Sequence, residues 1–145
     1  FRSYQPTDRL RWSLSVPDVH FISLRPTLEG MIVPSKFYGI VAAGRPVIHV
    51  GDPDGEISRI LEREQCGWSF CIGEVGAMVE CIRELSDNRH KVIEAGQRAR
   101  RAFDRQYARV HALQTWRTLL ESVSVPVPHL ESKTEPALLV VAGKE

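Results

Sequence analysis

Two short stretches of this 145-residue chain bring together residue types that could hold a charged ligand. The first, Leu28 to Lys36 (LEGMIVPSK), carries a carboxylate at Glu29, a flexible Gly30, a hydroxyl at Ser35 and an ammonium at Lys36. It runs into a helix that starts near Pro34. The unpaired amides of a helix start, together with the charge of Lys36, favour an anion such as a diphosphate, while Glu29 suits the hydroxyls of a sugar. The second stretch, Gly51 to Glu56 (GDPDGE), puts Glu56 at another helix start, where a carboxylate complements the macrodipole. Each stretch taken alone is also ordinary capping chemistry, which needs no ligand.

Other reactive side chains have plainer readings. His20 and His49 fall in strands that read as buried, His111 in a terminal helix, His90 in a loop and His129 in a tail. None has a Ser or carboxylate neighbour along the chain that would suggest a triad. Cys66, Cys71 and Cys81 are odd in number and lack metal-ligand spacing, so they read as buried free thiols. Phe103, Tyr107 and Trp116 are spaced for helix faces rather than for stacking on bases.

The elements that position the two stretches follow from period and punctuation. Thr7 to Val16 reads as a short helix with Thr7 as its cap, after a strand stub at Phe1 to Tyr4. Asp18 to Leu24 is a strand apolar enough to be covered on both faces; a loop with Pro and Gly follows, then a helix over Pro34 to Ala43, closed by Gly44. Pro46 to Val50 is the next strand and Glu56 to Gln65 an amphipathic helix ending before Gly67. Trp68 to Cys71 is a third strand, followed by helices over Glu74 to Leu85, Asn88 to Arg105 and Val110 to Val123. Strand, loop and helix alternating at this spacing give an α/β fold with adjacent parallel strands. Ser124 to Glu145, with its prolines and lack of period, reads as a tail.

With 43% hydrophobic and 26% charged residues, the chain is one globular domain rather than a disordered or fibrous protein. No apolar run approaches the ~18 residues of a spanning helix, and no signal-peptide pattern opens the chain, so a cytoplasmic protein or fragment is expected. A net charge of +1 gives no instruction to seek nucleic acid. The Arg89 to Glu121 region is nonetheless basic, with eight Lys or Arg against three acidic residues. That leaves open a surface for acidic partners or anionic lipid headgroups.

The succession SLRP, EG, VPSKFYGI, AAGRPVI and GDPDGEI, within Asp18 to Phe70, resembles the donor-binding half of family 4 glycosyltransferases of the GT-B fold, near the subgroup that builds bacterial surface polysaccharides. FDRQYARVHALQTWRTLLES is similar to the end of such chains, whose terminal helices pack back across the two-domain junction. The resemblance covers Phe1 to about Glu121. It implies a Rossmann-like parallel sheet flanked by helices, the incomplete C-terminal half of a GT-B fold, over residues 1–123, with residues 124–145 as a flexible tail.

The implied activity is retaining transfer of a sugar from a nucleotide-diphosphate donor to a glycan or lipid-linked acceptor, in the cytoplasm or peripherally at the inner membrane face. No metal and no cofactor is expected, the nucleotide sugar being a substrate. Ser35 and Lys36 match the stretch whose amides cradle the diphosphate, and Glu56 matches the acidic residue in the Gly-rich turn. The family also carries two Glu seven residues apart, which counting back from Gly44 places on Met31 and Gly39. Glu29 takes the first role only with a two-residue shift, and nothing replaces the second. The family's acceptor domain and the strand and basic pair that open its donor domain have no counterpart here. The expectation is therefore a partial donor site with no assigned catalytic residue; the rival readings are a non-catalytic α/β remnant and an interaction module with a basic helical surface.

Overall fold

The β-rich tetrapeptides HFIS, VIHV and GWSF form strands β1 (His20–Ser23), β2 (Val47–Val50) and β3 (Gly67–Phe70). They lie in one parallel sheet in chain order, with Phe21, Ile48 and Trp68 in register across it. The computed structural model describes residues 6–123; the strand stub expected at Phe1 to Tyr4 and the tail from Ser124, with His129, lie outside the described residues. The architecture is α/β, a Rossmann-like parallel sheet with flanking helices, as the alternation of elements predicts.

A 3₁₀ turn (Thr7–Arg9) leads into helix α1 (Leu10–Ser15). Helices α2 (Lys36–Ala42) and α3 (Glu56–Glu64) are the crossovers between successive strands. They bury Phe37, Ile40, Val41, Ile57, Ile60 and Leu61 against Ile22 and Val47 on one sheet face. Fully burying side chains of this size contributes roughly 1.5 to 3 kcal/mol each, which makes this cluster the main support of the fold. On the other face Ile48 packs with Leu85 of α4 (Val75–Asp87) and Val92 of α5 (Arg89–Ala102), joined by Trp68, Phe70 and Met78. Helix α5 reaches both clusters, since its Ala99 belongs to the first and its Val92 to the second. It passes the amino ends of the strands at Gly96, where an added Cβ would overlap the carbonyl oxygen of Gly44. A π-helical turn (Phe103–Tyr107) then redirects the chain into α6 (Arg109–Val123), none of whose residues is buried.

Several local expectations are corrected by the fold. Thr7 caps nothing: it lies inside the 3₁₀ turn, which begins after Pro6. Helix α2 starts at Lys36, later than Pro34, because Pro34 and Ser35 form the turn whose carbonyl at Pro34 takes the Phe37 amide at 2.9 Å. The left-handed residue that stops α3 is Gln65 (φ 52°), while Gly67 serves a different purpose, taken up below. Strand β1 is not covered on both faces, since Phe21 is 61% exposed. The basic region carries a set of ion pairs. Arg89, Lys91, Arg98, Arg100, Arg105 and Arg117 each contact a carboxylate, on Asp18, Glu84, Glu94, Asp104, Glu64 and Glu121 respectively.

Candidate functional site

In an open parallel sheet the loops beyond the carboxyl ends of the strands are where ligands gather. Here the loop after β1 and the turn after β2 are clasped together by one side chain. A 3₁₀ turn (Pro26–Leu28) delivers Glu29, and Gly30 at φ +77° reverses the chain behind it. Glu29 Oε1 accepts the backbone N–H of Glu56 at 2.8 Å, from 27 residues away. The N-cap position of α3 is Gly55, which has no side chain to bond that amide, so Glu29 caps the helix in its place. A Cβ at Gly55 would come within 2.8 Å of Glu29 Oε2, so a side chain there would press on the carboxylate that caps the helix.

Beside the clasp opens a cavity of about 480 Å³ lined in part by Glu29, Gly30, Glu56, Arg59, Arg63 and Tyr107. Glu56, Arg59 and Arg63 share one face of α3 at helical spacing. Arg63 donates to the Tyr107 hydroxyl at 2.9 Å. Tyr38 donates to Glu56 Oε1 at 3.5 Å, and its ring lies 5.4 Å from that of Tyr107. Burial, then the adjacent Glu56 carboxylate, push the Tyr38 phenol up, and burial does the same to Tyr107. Both hydroxyls stay protonated at neutral pH and can act as donors.

The structure thus brings Glu29, Gly30 and Glu56 to one cavity. Ser35 and Lys36 do not line it; they stand exposed at the start of α2, and Ser35 makes no capping hydrogen bond. Sequence reading missed Arg59, Arg63 and Tyr107, although the i, i+3, i+7 spacing from Glu56 would have put both arginines on its face. At Gly39, where the resemblance places a second Glu, an added Cβ would meet Leu14 Cδ1 at 3.2 Å, so α1 packs over that position. Met31, the other counted position, is 75% exposed.

Beneath the clasp lies a hydrogen-bonded group that the sequence does not announce. His49 is fully buried, with Nδ1 3.1 Å from Ser58 Oγ and 3.3 Å from Ser69 Oγ. Ser58 spends its one proton on the Asp52 carbonyl at 2.6 Å, so His49 Nδ1–H must be the donor to it. Nε2 then carries a bare lone pair, and it is the buried side-chain polar atom without a partner among the described residues. It lies beside Gly51, where a Cβ would approach to 2.8 Å. This is no triad, since no carboxylate orients the ring.

Burial lowers the His49 pKa, with the Glu29 charge pulling weakly the other way. The unfolded chain therefore binds a proton at a higher pH than the folded one. Stability is complete above the ordinary histidine value and falls as pH drops below it, by at most ~1.4 kcal/mol per pH unit for one proton. The urea midpoint of the chain is expected to drop between pH 7.5 and pH 5.5, and His49→Gln to flatten that drop. Equal slopes in the two proteins would assign the acid lability elsewhere.

Among the described residues, no group of three or more His, Cys, Asp or Glu side chains is placed to hold a metal ion, and no helix is long and apolar enough to cross a membrane. No known protein-family model matches the chain, and no solved structure matches it. The chain is similar to a protein named probable glycosyltransferase WbjE, from Pseudomonas aeruginosa, with 30% identity over 82 residues. The matched region is 57% of this chain and 20% of that protein, so the chain spans about a fifth of its relative's length.

Proposed function

We propose that this chain is the donor-binding part of a glycosyltransferase of family 4 and the GT-B fold. In this reading it serves transfer of a sugar from a nucleotide-diphosphate donor, with retention, to a glycan or lipid-linked acceptor of a surface polysaccharide at the cytoplasmic face of the membrane. The observation that carries the reading is the convergence of Glu29, Gly30 and Glu56 on one cavity at the carboxyl edge, whose lining includes Pro34, two residues before the exposed Lys36. The similarity to a protein named as a glycosyltransferase supports the same class.

The roles follow from what each group has left to offer. The diphosphate sits over Ser35 and Lys36; α2 is only seven residues long, so few peptide dipoles align and the ammonium supplies most of the attraction. Glu29 gives one oxygen to the Glu56 amide and keeps the other for a sugar hydroxyl. Departure of a nucleoside diphosphate needs charge stabilisation in a water-poor cleft, which calls for an acceptor domain over this edge. The chain alone therefore binds donor rather than turning it over.

Isothermal titration with UDP, GDP and their sugars tests this. Lys36→Ala is expected to weaken nucleoside diphosphate by roughly 1.5 to 3 kcal/mol while sparing nucleoside, the contribution of a hydrogen bond to a charged group. Glu29→Gln should reduce only the increment that the attached sugar adds. Equal losses for nucleoside and diphosphate would refute the phosphate assignment, and no nucleotide binding at all would favour the non-catalytic remnant.

A further inference from the structure

The free oxygen of Glu29 is aimed from the turn after β2. Glu29 is half-buried and spends Oε1 on the Glu56 amide, so the direction of that amide decides where Oε2 points. A helix-start amide has no partner within its own helix, and Glu56 takes its direction from the turn Gly51 to Gly55 in front of it. Pro53 and Asp54 at the tip of the turn are exposed, while the Asp52 carbonyl accepts the Gly55 amide at 3.1 Å and the Ser58 hydroxyl at 2.6 Å. Ser58 is 4% exposed, and its oxygen also accepts His49 Nδ1–H from β2 at 3.1 Å and the Ser69 hydroxyl from β3 at 2.7 Å. One donation and two acceptances exhaust what a hydroxyl offers, so a single oxygen ties the turn to α3 and to two strands at once. A buried group satisfied in this way holds one arrangement.

We propose that Ser58 is the positioning residue of this cavity: by holding the Asp52 carbonyl it sets the Glu56 amide, and through that amide it turns the free oxygen of Glu29 toward a hydroxyl of the donor sugar. The last of these steps rests on the donor-binding reading proposed above; the others rest on the network itself. Ser58 does not line the cavity and acts through backbone. Removing its hydroxyl spares the core. In Ser58→Ala, His49 Nδ1–H keeps Ser69 Oγ at 3.3 Å, the Asp52 carbonyl keeps the Gly55 amide, and the proton of the exposed Ser69 turns to water. No buried donor is orphaned, and the loss falls on the turn. Ser69→Ala is the converse, since it takes one acceptance from Ser58 and leaves the bond to Asp52 whole.

Amide exchange in the full chain reads the clasp directly at Glu56, and Glu29→Ala sets the rate of an open clasp. Ser58→Ala is expected to speed exchange at Glu56 about tenfold relative to the β2 amides, the size of one hydrogen bond lost. Ser69→Ala should leave Glu56 at the parent rate, and Ser58→Thr, which keeps the hydroxyl, should restore protection. In isothermal titration the increment that an attached sugar adds to UDP or GDP binding should shrink about fivefold in Ser58→Ala, with nucleoside diphosphate affinity kept. Parent-like exchange at Glu56 in Ser58→Ala, equal acceleration in Ser69→Ala, or a Ser58→Thr protein as fast as Ser58→Ala would overturn the proposal, whatever the nucleotides do. An unchanged sugar increment beside an opened clasp would overturn the link from Ser58 to the sugar. A parent that binds no nucleotide, with Glu56 still loosened in Ser58→Ala, would strike the donor reading alone and leave Ser58 as the residue that sets the clasp.

Discussion

Gly67→Ala is expected to destabilise the chain strongly, because the new Cβ would overlap the carbonyl oxygen of Val47 and press on Leu61 Cδ2 at 2.8 Å. The first obstacle is backbone of the central strand, which cannot step aside without opening the ladder between β2 and β3. The cost is set at about 3 kcal/mol or more, the upper end of overpacking, against a total of ~5 to 15 kcal/mol for a domain. Gly76→Ala in α4 is the control: its Cβ meets nothing within 4 Å, and the change should be neutral or stabilise by up to ~1 kcal/mol. Urea unfolding followed by circular dichroism reads both. A Gly67→Ala protein within about 1 kcal/mol of the parent would contradict the steric account.

Phe37→Ala is expected to cost about 3 to 5 kcal/mol, the usual range for emptying a buried aromatic site. Phe37 is fully buried among Ile40, Val41, Ile57 and Leu61, with its ring edge-on to Tyr38 at 5.5 Å. It is also the residue after Lys36, so the side chain that anchors α2 fixes the start of the helix where the diphosphate is proposed to sit. Loss of stability and loss of nucleotide binding should therefore appear together in Phe37→Ala, whereas Lys36→Ala should lose binding and keep its urea midpoint. Parent-like nucleotide affinity in a destabilised but folded Phe37→Ala would separate α2 from the binding site.

The order of strands and crossovers, and their parallel pairing, were legible because they rest on local signals. Apolar tetrapeptides, helical spacing and Gly or Pro punctuation act within a few residues of each other. What escaped was long-range or conditional. Nothing near Glu29 states that its partner is the amide of Glu56, and nothing near His49 states that Ser58 and Ser69 will close on one of its nitrogens. Glycine signals were read for one purpose when they served another. Gly67 looks like a helix stop, yet the left-handed turn falls to Gln65 and the missing side chain at Gly67 makes room for a neighbouring strand. Coverage of β1 was misjudged because composition tells that a strand is apolar, not whether a helix arrives to cover it.

Sheet order and chain order coincide in this fold, and that bears on how it is made. Strands β1 and β2 are adjacent and joined by α2, so they can pair as soon as β2 has left the ribosome, and β3 adds to the finished side in the same way. Among the described residues, no strand has to be inserted between two others that already pair. Helix α5 is the exception, because it touches α2, α3 and β3 and carries Val92 and Ala99 to opposite faces. A nascent chain that ends before α5 holds its sheet with both clusters incomplete and the approach at Gly44 open. Emergence of α5 is thus the event that converts a growing stack of strand-helix units into a closed body, and the interval before it is when the nascent chain most needs a chaperone.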